Sequence, residues 1–436
     1  MRLEHSCEIT YWHAWEAREF AIAAARGIQD RSYAKMPAYL HMIKEANPVR
    51  GFYNAMRRVI VVDGTFLKNK YKRVLLVSTA VDGNSNLYPI AFGVVDSEND
   101  DSWGWFFRQL KVDITDCQDL AFVSDRNASI SKAIGTVYPQ STHGICIHHL
   151  LTNVVAFFKT KGLSALVEKA SRAYWYTEFQ ERITEIFEMS HELGRYLREA
   201  DVRKWARSLF SGERYDIRTT NPAESINSVL RIPREYPVIP LLDSIRELLT
   251  RWFYERRVVS SKHLDPLTTK VEKNIDRRIL KAKGFQFYKV DDFKSLVKGN
   301  IYDCHVDLER RTCTCGNIST PINHVFVGTG MEMHRFTDSL YTTAAWRTAY
   351  AECINAIAVP ESEWNVPAEV KLAKVLPPET KNSDGRPIKR RYESVEDKIN
   401  LLKDQEKIKS TSAVVVVPKD TREEHVIYPS SLFCVF

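Results

Sequence analysis

The sequence predicts a mixed α/β fold organised around a buried sheet, and three observations lead there. The run Val59-Ile60-Val61-Val62 is continuously apolar and β-branched, the pattern of a strand covered on both faces. Two further apolar runs, Val74–Val81 and Tyr88–Val95, flank Asp82-Gly83-Asn84, a strong hairpin signal. Beyond them, short apolar runs alternate with stretches of helical spacing, the pattern of β-α units.

The totals set limits. At 436 residues the chain exceeds one ordinary core, so two or three structural units are expected. Its 44% apolar and 27% charged residues are those of a globular protein. A net charge of +7 permits a polyanionic partner without requiring one. No apolar run approaches the roughly 20 residues of a membrane span. The start, MRLEHSCEIT, lacks the basic and apolar regions of a secretory signal. A reducing compartment is therefore expected, where the 8 cysteines read as buried thiols or metal ligands before disulfides.

In chain order, Tyr11–Arg26 has Trp12, Trp15, Phe20, Ile22 and Ala25 near helical spacing, and Gly27 ends it. A second helix is expected from about Pro37 to Ala46, stopped by Asn47-Pro48. Residues 1–50 thus read as a helical segment, more a packing appendage than a DNA-contacting one, since no dense basic face is visible. The strand from Arg57 to Val62 ends on Asp63, with Gly64 next. Asp-Gly commonly opens a turn, but a carboxylate at the mouth of a buried strand is costly unless it is paired or bound to a cation.

Ser102–Leu110 has helical spacing, with Asp101-Ser102 as a plausible N-cap. Leu120–Val123 is a short strand ending in Ser124-Asp125-Arg126, and a helix follows from about Ala128 to Val137. His143–His148 is another strand candidate, with a helix starting near His149. The order β-β-β-α-β-α-β-α is that of a ribonuclease-H-like sheet, in which the first and fourth strands are neighbours. Asp63 and Asp125 then come together. Neighbouring carboxylates repel, and one pKa must rise unless a cation lies between them. A pair of Mg²⁺ ions would relieve that repulsion, activate a water and stabilise the leaving oxygen of a phosphodiester. The plainer reading of Asp125 is an N-cap.

Four helices are expected over Leu150–Lys159, Leu163–Trp175, Phe179–Glu188 and Glu192–Phe210, an insertion at about 150–215. Arg203, Lys204, Arg207, Arg214 and Arg218 near its end could meet DNA phosphates, although solvated faces explain any one of them. Thr219-Thr220-Asn221-Pro222 starts a helix, with Asn221 as N-cap and Pro222 at the first position. Glu224 falls in the first turn, where a carboxylate suits the helix dipole and can reach back to the cap. By residues alone, Glu224 reads as a cap. Leu241–Arg257 is a further amphipathic helix carrying Trp252 and Phe253.

Phe285–Val306 alternates like strands, and Arg311–His324 reads RTCTCGNISTPINH. Cys313 and Cys315 with His324 suggest zinc. Helical signal returns over Leu340–Ile357. Beyond Pro360 the chain is Pro-rich and charged, then reads SDGRPIKRRYES. Gly385-Arg386-Pro387 resembles an AT-hook core, in which an arginine enters a narrow minor groove. Lys389, Arg390 and Arg391 equally suit a nuclear import signal, and a solvated linker is the plain alternative. Val414–Val417 is an apolar run without an assigned place.

The stretch DGTFLKNKYKRVLLVSTAVDGNSNLYPIAFGVVDSENDDSWGWFF, followed by FVSDR, HGICIHHLLTN and RTTNPAESINSVL, resembles the transposase domain of Mutator-like elements (MULE) from about Arg57 to Arg257. The last segment also resembles bacterial insertion-sequence transposases, and the downstream extension is typical of plant members. The resemblance implies a ribonuclease-H-like fold with an Asp-Asp-Glu triad on Asp63, Asp125 and Glu224, holding Mg²⁺ or Mn²⁺ for DNA strand cleavage and transfer. It places the family's C-x-x-H motif on Cys146 and His149, as accessory residues that orient DNA or support the metal site; the alternative is a buried cysteine beside a helix-starting histidine.

The cysteine-rich segment resembles a SWIM-type zinc finger, C-x-C followed by C-x-H. Cys313, Cys315 and His324 match, while the third ligand position holds Ile322, which cannot bind metal. A degenerate finger is expected, with Cys304 or His305 as the alternative fourth ligand. The implied organisation is a helical segment (1–50), a transposase domain (57–260), a degenerate finger (285–330), a helix (331–360) and a flexible basic tail (361–436). Two departures stand out. The span from Asn47-Pro48 to Arg57 is shorter than the family pattern, and the usual DNA-binding domain ahead of the sheet is missing. The expected function is that of a nuclear, transposase-derived DNA-binding protein with an intact triad, able to form a homo-oligomer. The alternatives are a domesticated, non-catalytic transcriptional regulator and an inactive transposase relic.

Overall fold

The computed structural model describes residues 10–26, 29–46, 52, 55–158, 162–282, 286–298, 303–310, 312–314, 337–355, 357, 361–372 and 432–435. Cys315, Ile322, His324, Arg386, Lys389, Arg390, Arg391 and the run Val414–Val417 lie outside them. No helix among the described residues is long and apolar enough to cross a membrane.

Helices α1 (Tyr11–Arg26) and α2 (Gln29–Ala46) precede the sheet. The second begins well before Pro37, which lies inside it rather than at its first position. An interior proline removes one helix hydrogen bond. Here the burial of Tyr33, Met36 and Tyr39 on one face, packed into the main core, outweighs that loss. The Tyr39 hydroxyl also donates to the Asp243 carboxylate.

Strands β1 (Val59–Phe66), β2 (Val74–Val81) and β3 (Leu87–Val95) run antiparallel, joined by a tight turn at Asp82, whose carboxylate accepts from the Asn86 backbone N–H at 2.6 Å. Helix α3 (Asp100–Asp113) crosses one face of the sheet. Its cap is Asn99, which accepts from the Ser102 N–H at 2.9 Å, so the helix starts before the expected Asp101-Ser102. Strand β4 (Ala121–Ser124), helix α4 (Ala128–Val137), strand β5 (Thr142–Ile145) and helix α5 (Ile147–Phe158) follow. Both β4 and β5 are parallel to β1. The sheet order is β3-β2-β1-β4-β5, and a last strand, β10 (Leu432–Val435), pairs antiparallel with β3 at the edge. A strand at the end of the segment expected to be flexible thus closes that edge, as the open backbone groups of an edge strand invite.

The four apolar residues of β1 show why a continuous run was needed. Ile60 and Val62 enter the main core with Trp103, Phe106, Phe107 and Phe122. Val59 and Val61 enter a second core with Val81, Ala121, Val123, Ile217 and Ala223. Each such side chain contributes roughly 1.5–3 kcal/mol of burial. The sheet is rigid because both faces are packed.

The insertion is a separate helical cluster with its own core around Leu150, Leu163, Val167, Phe179, Ile186, Leu193 and Trp205. After α6 (Leu163–Arg172) and α7 (Tyr176–Met189), the single helix expected over Glu192–Phe210 is broken into α8 (His191–Glu199) and α9 (Val202–Trp205). The break is at Asp201, whose φ of 53° is left-handed and whose carboxylate caps the Arg203 N–H. It lets the Trp205 indole N–H fold back to the Leu197 carbonyl at 3.2 Å.

Helix α10 (Asn221–Val229) returns the chain to the sheet, and α11 (Val238–Lys262) and α12 (Thr269–Ala282) follow. Strands β6 (Gln286–Lys289), β7 (Lys294–Lys298), β8 (Asp303–Asp307) and β9 (Thr312–Cys313) form a second, antiparallel sheet in sequential order. Helix α13 (Thr343–Ala349) is much shorter than the helix expected over Leu340–Ile357. It ends where Tyr350 turns fully into the core and donates to Asp82 at 2.8 Å. A last short helix, α14 (Ala368–Leu372), lies in the segment read as tail.

Candidate active site

The parallel pairing of β1 and β4 fixes the site. Val61 is level with Val123, so Asp63 and Asp125, each two residues further on, lie at the same height: Asp125 just past the end of β4, and Asp63 still inside β1, which runs on to Phe66 instead of ending at Asp63. One Asp63 oxygen accepts from the Asn227 side-chain amide at 2.8 Å. Asp125 does not cap α4. That role falls to Asn127, which accepts from the Ser129 N–H at 2.9 Å, while Asp125 accepts from the Asn127 N–H at 3.0 Å.

Glu224 reaches the same end of the sheet from the first turn of α10. The helix is capped at Thr220, not at Asn221, so Pro222 is its second residue. The Thr220 hydroxyl donates to Glu224 at 2.6 Å, and the carboxylate lies 3.9 Å from the His149 imidazole. Glu224 thus does reach back to the cap, which is Thr220 and not Asn221, and faces His149 of α5 as well.

The charges report how close these groups are. Burial pushes the Asp63 carboxyl up to about 7, and the negative charges of Asp125, Glu224 and Glu98 push the same way. Glu98, just beyond β3, is itself raised, first by burial and then by Asp125. Asp63 thus feels the charge of three further acids, one just after β3, one just after β4 and one on α10. His149 is the counterweight. Its hydrogen bond to Cys146 holds its pKa near 9, with help from the charges of Cys146, Glu224 and Asp125 against the opposing effect of burial. Burial alone would raise the Cys146 thiol, but hydrogen bonds from His149 and Thr220 bring it below its usual range. The thiol accepts from the Thr220 N–H at 3.3 Å, and the Thr220 hydroxyl lies at the same distance, its single proton shared between the thiol and Glu224. Cys146, His149, Thr220 and Glu224 are therefore one linked group.

In this arrangement no three His, Cys, Asp or Glu side chains among the described residues stand at the spacing of a formed metal site. The donor set nevertheless suits a hard divalent cation. It is all carboxylate oxygen, and the missing Cβ of Gly64 leaves room for the Glu98 carboxyl beside it.

Other expected site residues fare differently. Arg214 is buried, donates to the Lys204 and Trp205 carbonyls at 3.3 and 3.1 Å, and stacks over Phe210, so it cannot meet phosphate. Its role is to hold the insertion together. Arg203 is paired with Asp201, and Arg207 lies over Tyr174. In the second sheet Cys304 and Cys313 are buried on one face of neighbouring strands, while His305 is on the opposite, exposed face.

Sequence reading does not reach Glu98, Asn227 or Thr220. Glu98 sits in the acidic turn Asp96–Asp101, which reads as a solvated loop, and Asn227 is one polar residue on an amphipathic helix. Gly64 gave no signal, because Asp63-Gly64 reads as a turn until the structure carries β1 through it to Phe66.

The first part of the chain's main sheet has a match among known protein families. Residues 59–153 match the MULE transposase domain. The matched stretch runs from the start of β1 into α5 and includes Asp63, Glu98, Asp125, Cys146 and His149, while Glu224 lies beyond it. The chain is therefore similar, over that stretch, to a transposase domain. No curated protein matches it.

Proposed function

We propose that this chain is a transposase-derived DNA-binding protein whose Asp63, Asp125 and Glu224 form a site for divalent-cation-dependent DNA strand cleavage and transfer. The observation that carries the proposal is the convergence of acids from β1, β4 and α10 on one sheet end, within the reach of each other's charge. The sheet order β3-β2-β1-β4-β5 supports a ribonuclease-H-like reading of the fold. Mg²⁺ or Mn²⁺ held by the three carboxylates would supply a nucleophilic water and stabilise the leaving oxygen. The chain's own residues do the rest. Asn227 orients Asp63, the Asn127 N–H orients Asp125, and Thr220 orients Glu224. Protonated His149 offers positive charge beside Glu224, suited to a phosphate oxygen.

DNA is the partner by this reading, with the exposed arginines of the insertion contributing phosphate contacts and the basic run at Arg386, Lys389, Arg390 and Arg391 serving minor-groove contact or nuclear import. Cys313, Cys315 and His324 belong to a degenerate finger that holds zinc weakly or not at all. Zinc analysis of purified protein tests this: one tightly held zinc per chain would contradict it.

The catalytic reading is tested by incubating supercoiled plasmid with Mg²⁺ or Mn²⁺ and either the wild-type protein or Asp125→Asn. Metal-dependent nicking that the variant loses is the expected result. Equal behaviour of the two proteins would overturn the triad.

A further inference from the structure

The Glu98 carboxyl occupies the space that Gly64 leaves open. A Cβ added at Gly64 would lie 2.5 Å from the Glu98 carboxyl carbon and 2.6 and 2.7 Å from its oxygens. Gly64 is in the middle of β1, paired with Leu76, and its φ is not in the left-handed region. The backbone does not call for glycine there, and glycine inside a strand weakens it. What the missing Cβ does is admit a carboxylate beside Asp63.

A buried polar group nearby points to a ligand. Asn227 donates to Asp63, yet its Oδ1 is buried without a hydrogen-bond partner, although the residue is only 7% exposed. Leaving such an oxygen unsatisfied in the interior is costly. An ionised carboxylate cannot donate to it, so with the acids ionised its missing partner is a water or a cation.

We propose that Glu98 is a fourth acidic ligand of the divalent-cation site, admitted to it by the missing Cβ of Gly64. This rests on the reading of Asp63, Asp125 and Glu224 as cation ligands. A carboxylate held against three others serves no purpose in a purely structural cluster, because apolar or amide side chains would fill the space without repulsion.

The test is a Mn²⁺ titration of the full chain followed by electron paramagnetic resonance, on the wild type, Glu98→Gln, Gly64→Ala and Asp125→Asn, with thermal melts of each. Loss of one carboxylate ligand is expected to weaken Mn²⁺ binding roughly tenfold or more in Glu98→Gln. Gly64→Ala, which displaces the carboxyl without removing it, weakens binding in the same direction. Without metal, Glu98→Gln melts higher than the wild type, since a repelling charge is gone, and its melting temperature rises less when Mn²⁺ is added. Wild-type Mn²⁺ affinity in Glu98→Gln alongside lost affinity in Asp125→Asn would overturn the role of Glu98 and leave the triad standing. A wild-type protein that binds no Mn²⁺ would overturn both. Should Glu98→Gln fail to fold, Gly64→Ala decides: unchanged affinity there contradicts the proposal.

Discussion

Asp63 carries the sharpest consequence at the scale of single residues. Its ordinary value is 3.8, and burial together with the neighbouring acids moves it to about 7 in the folded protein. Between those values the unfolded chain has released its proton while the folded chain still holds it. Ionisation then stabilises only the unfolded state, so metal-free stability falls as pH rises from about 4 to about 7 and stays low above that. Asp63→Asn removes this dependence. In chelator, the variant is expected to melt higher than the wild type at pH 8, with the advantage vanishing near pH 4. Parallel melting curves at both pH values would contradict the repulsive site. The same electrostatics explain why a sequence reader meets Asp63 as an ordinary turn residue: its unusual state is produced by groups 35, 62 and 161 residues away, at Glu98, Asp125 and Glu224.

At the scale of elements, most strands and the helices after β3 were legible because their apolar residues keep the period of the element that forms. The run 59–62 is apolar throughout because its side chains enter two cores, and α3 presents Trp103, Phe106, Phe107 and Leu110 to the sheet at helical spacing. Tertiary contacts hid the rest. Pro37 reads as a helix start until the burial of Tyr33, Met36 and Tyr39 extends α2 past it. The break between α8 and α9 depends on Asp201 in a left-handed conformation, which no periodicity reports. The start of α10 is the element on which the site depends most. Thr220 is fully buried and serves Cys146 and Glu224 at once. Thr220→Ala should lower stability by about 1–2 kcal/mol in denaturant unfolding. It should also move the ionisation of the buried Cys146 thiol to higher pH, in a titration profile followed by the NMR shift of its labelled Cβ, since a hydrogen bond that favours the thiolate is lost. An unchanged profile would separate Cys146 from the linked group.

For the molecule as a whole, the insertion explains how a distant acid reaches the sheet. Residues 147–205 form a cluster with its own core, so the long interval between Asp125 and Glu224 is a folded unit and not a loose loop. The insertion then hands the chain back to α10, which packs on β1 and β2 and brings Glu224 and Asn227 to the end of the sheet. The Asp63–Asp125 pairing was legible from strand order; the rest of the site was not, because Glu98 and Asn227 come together only in three dimensions. The central claim is that acids from separate elements act as one site, and groups that act as a unit are not additive when removed. The most direct test is the nicking rate of supercoiled DNA in Mn²⁺ for Asp63→Asn, Asp125→Asn, Glu224→Gln and the double variant Asp125→Asn/Glu224→Gln. Each single variant should lose about 100-fold or more, and the double should be no slower than the worse single. Single variants that cut at the wild-type rate, or losses that multiply in the double variant, would contradict a shared site.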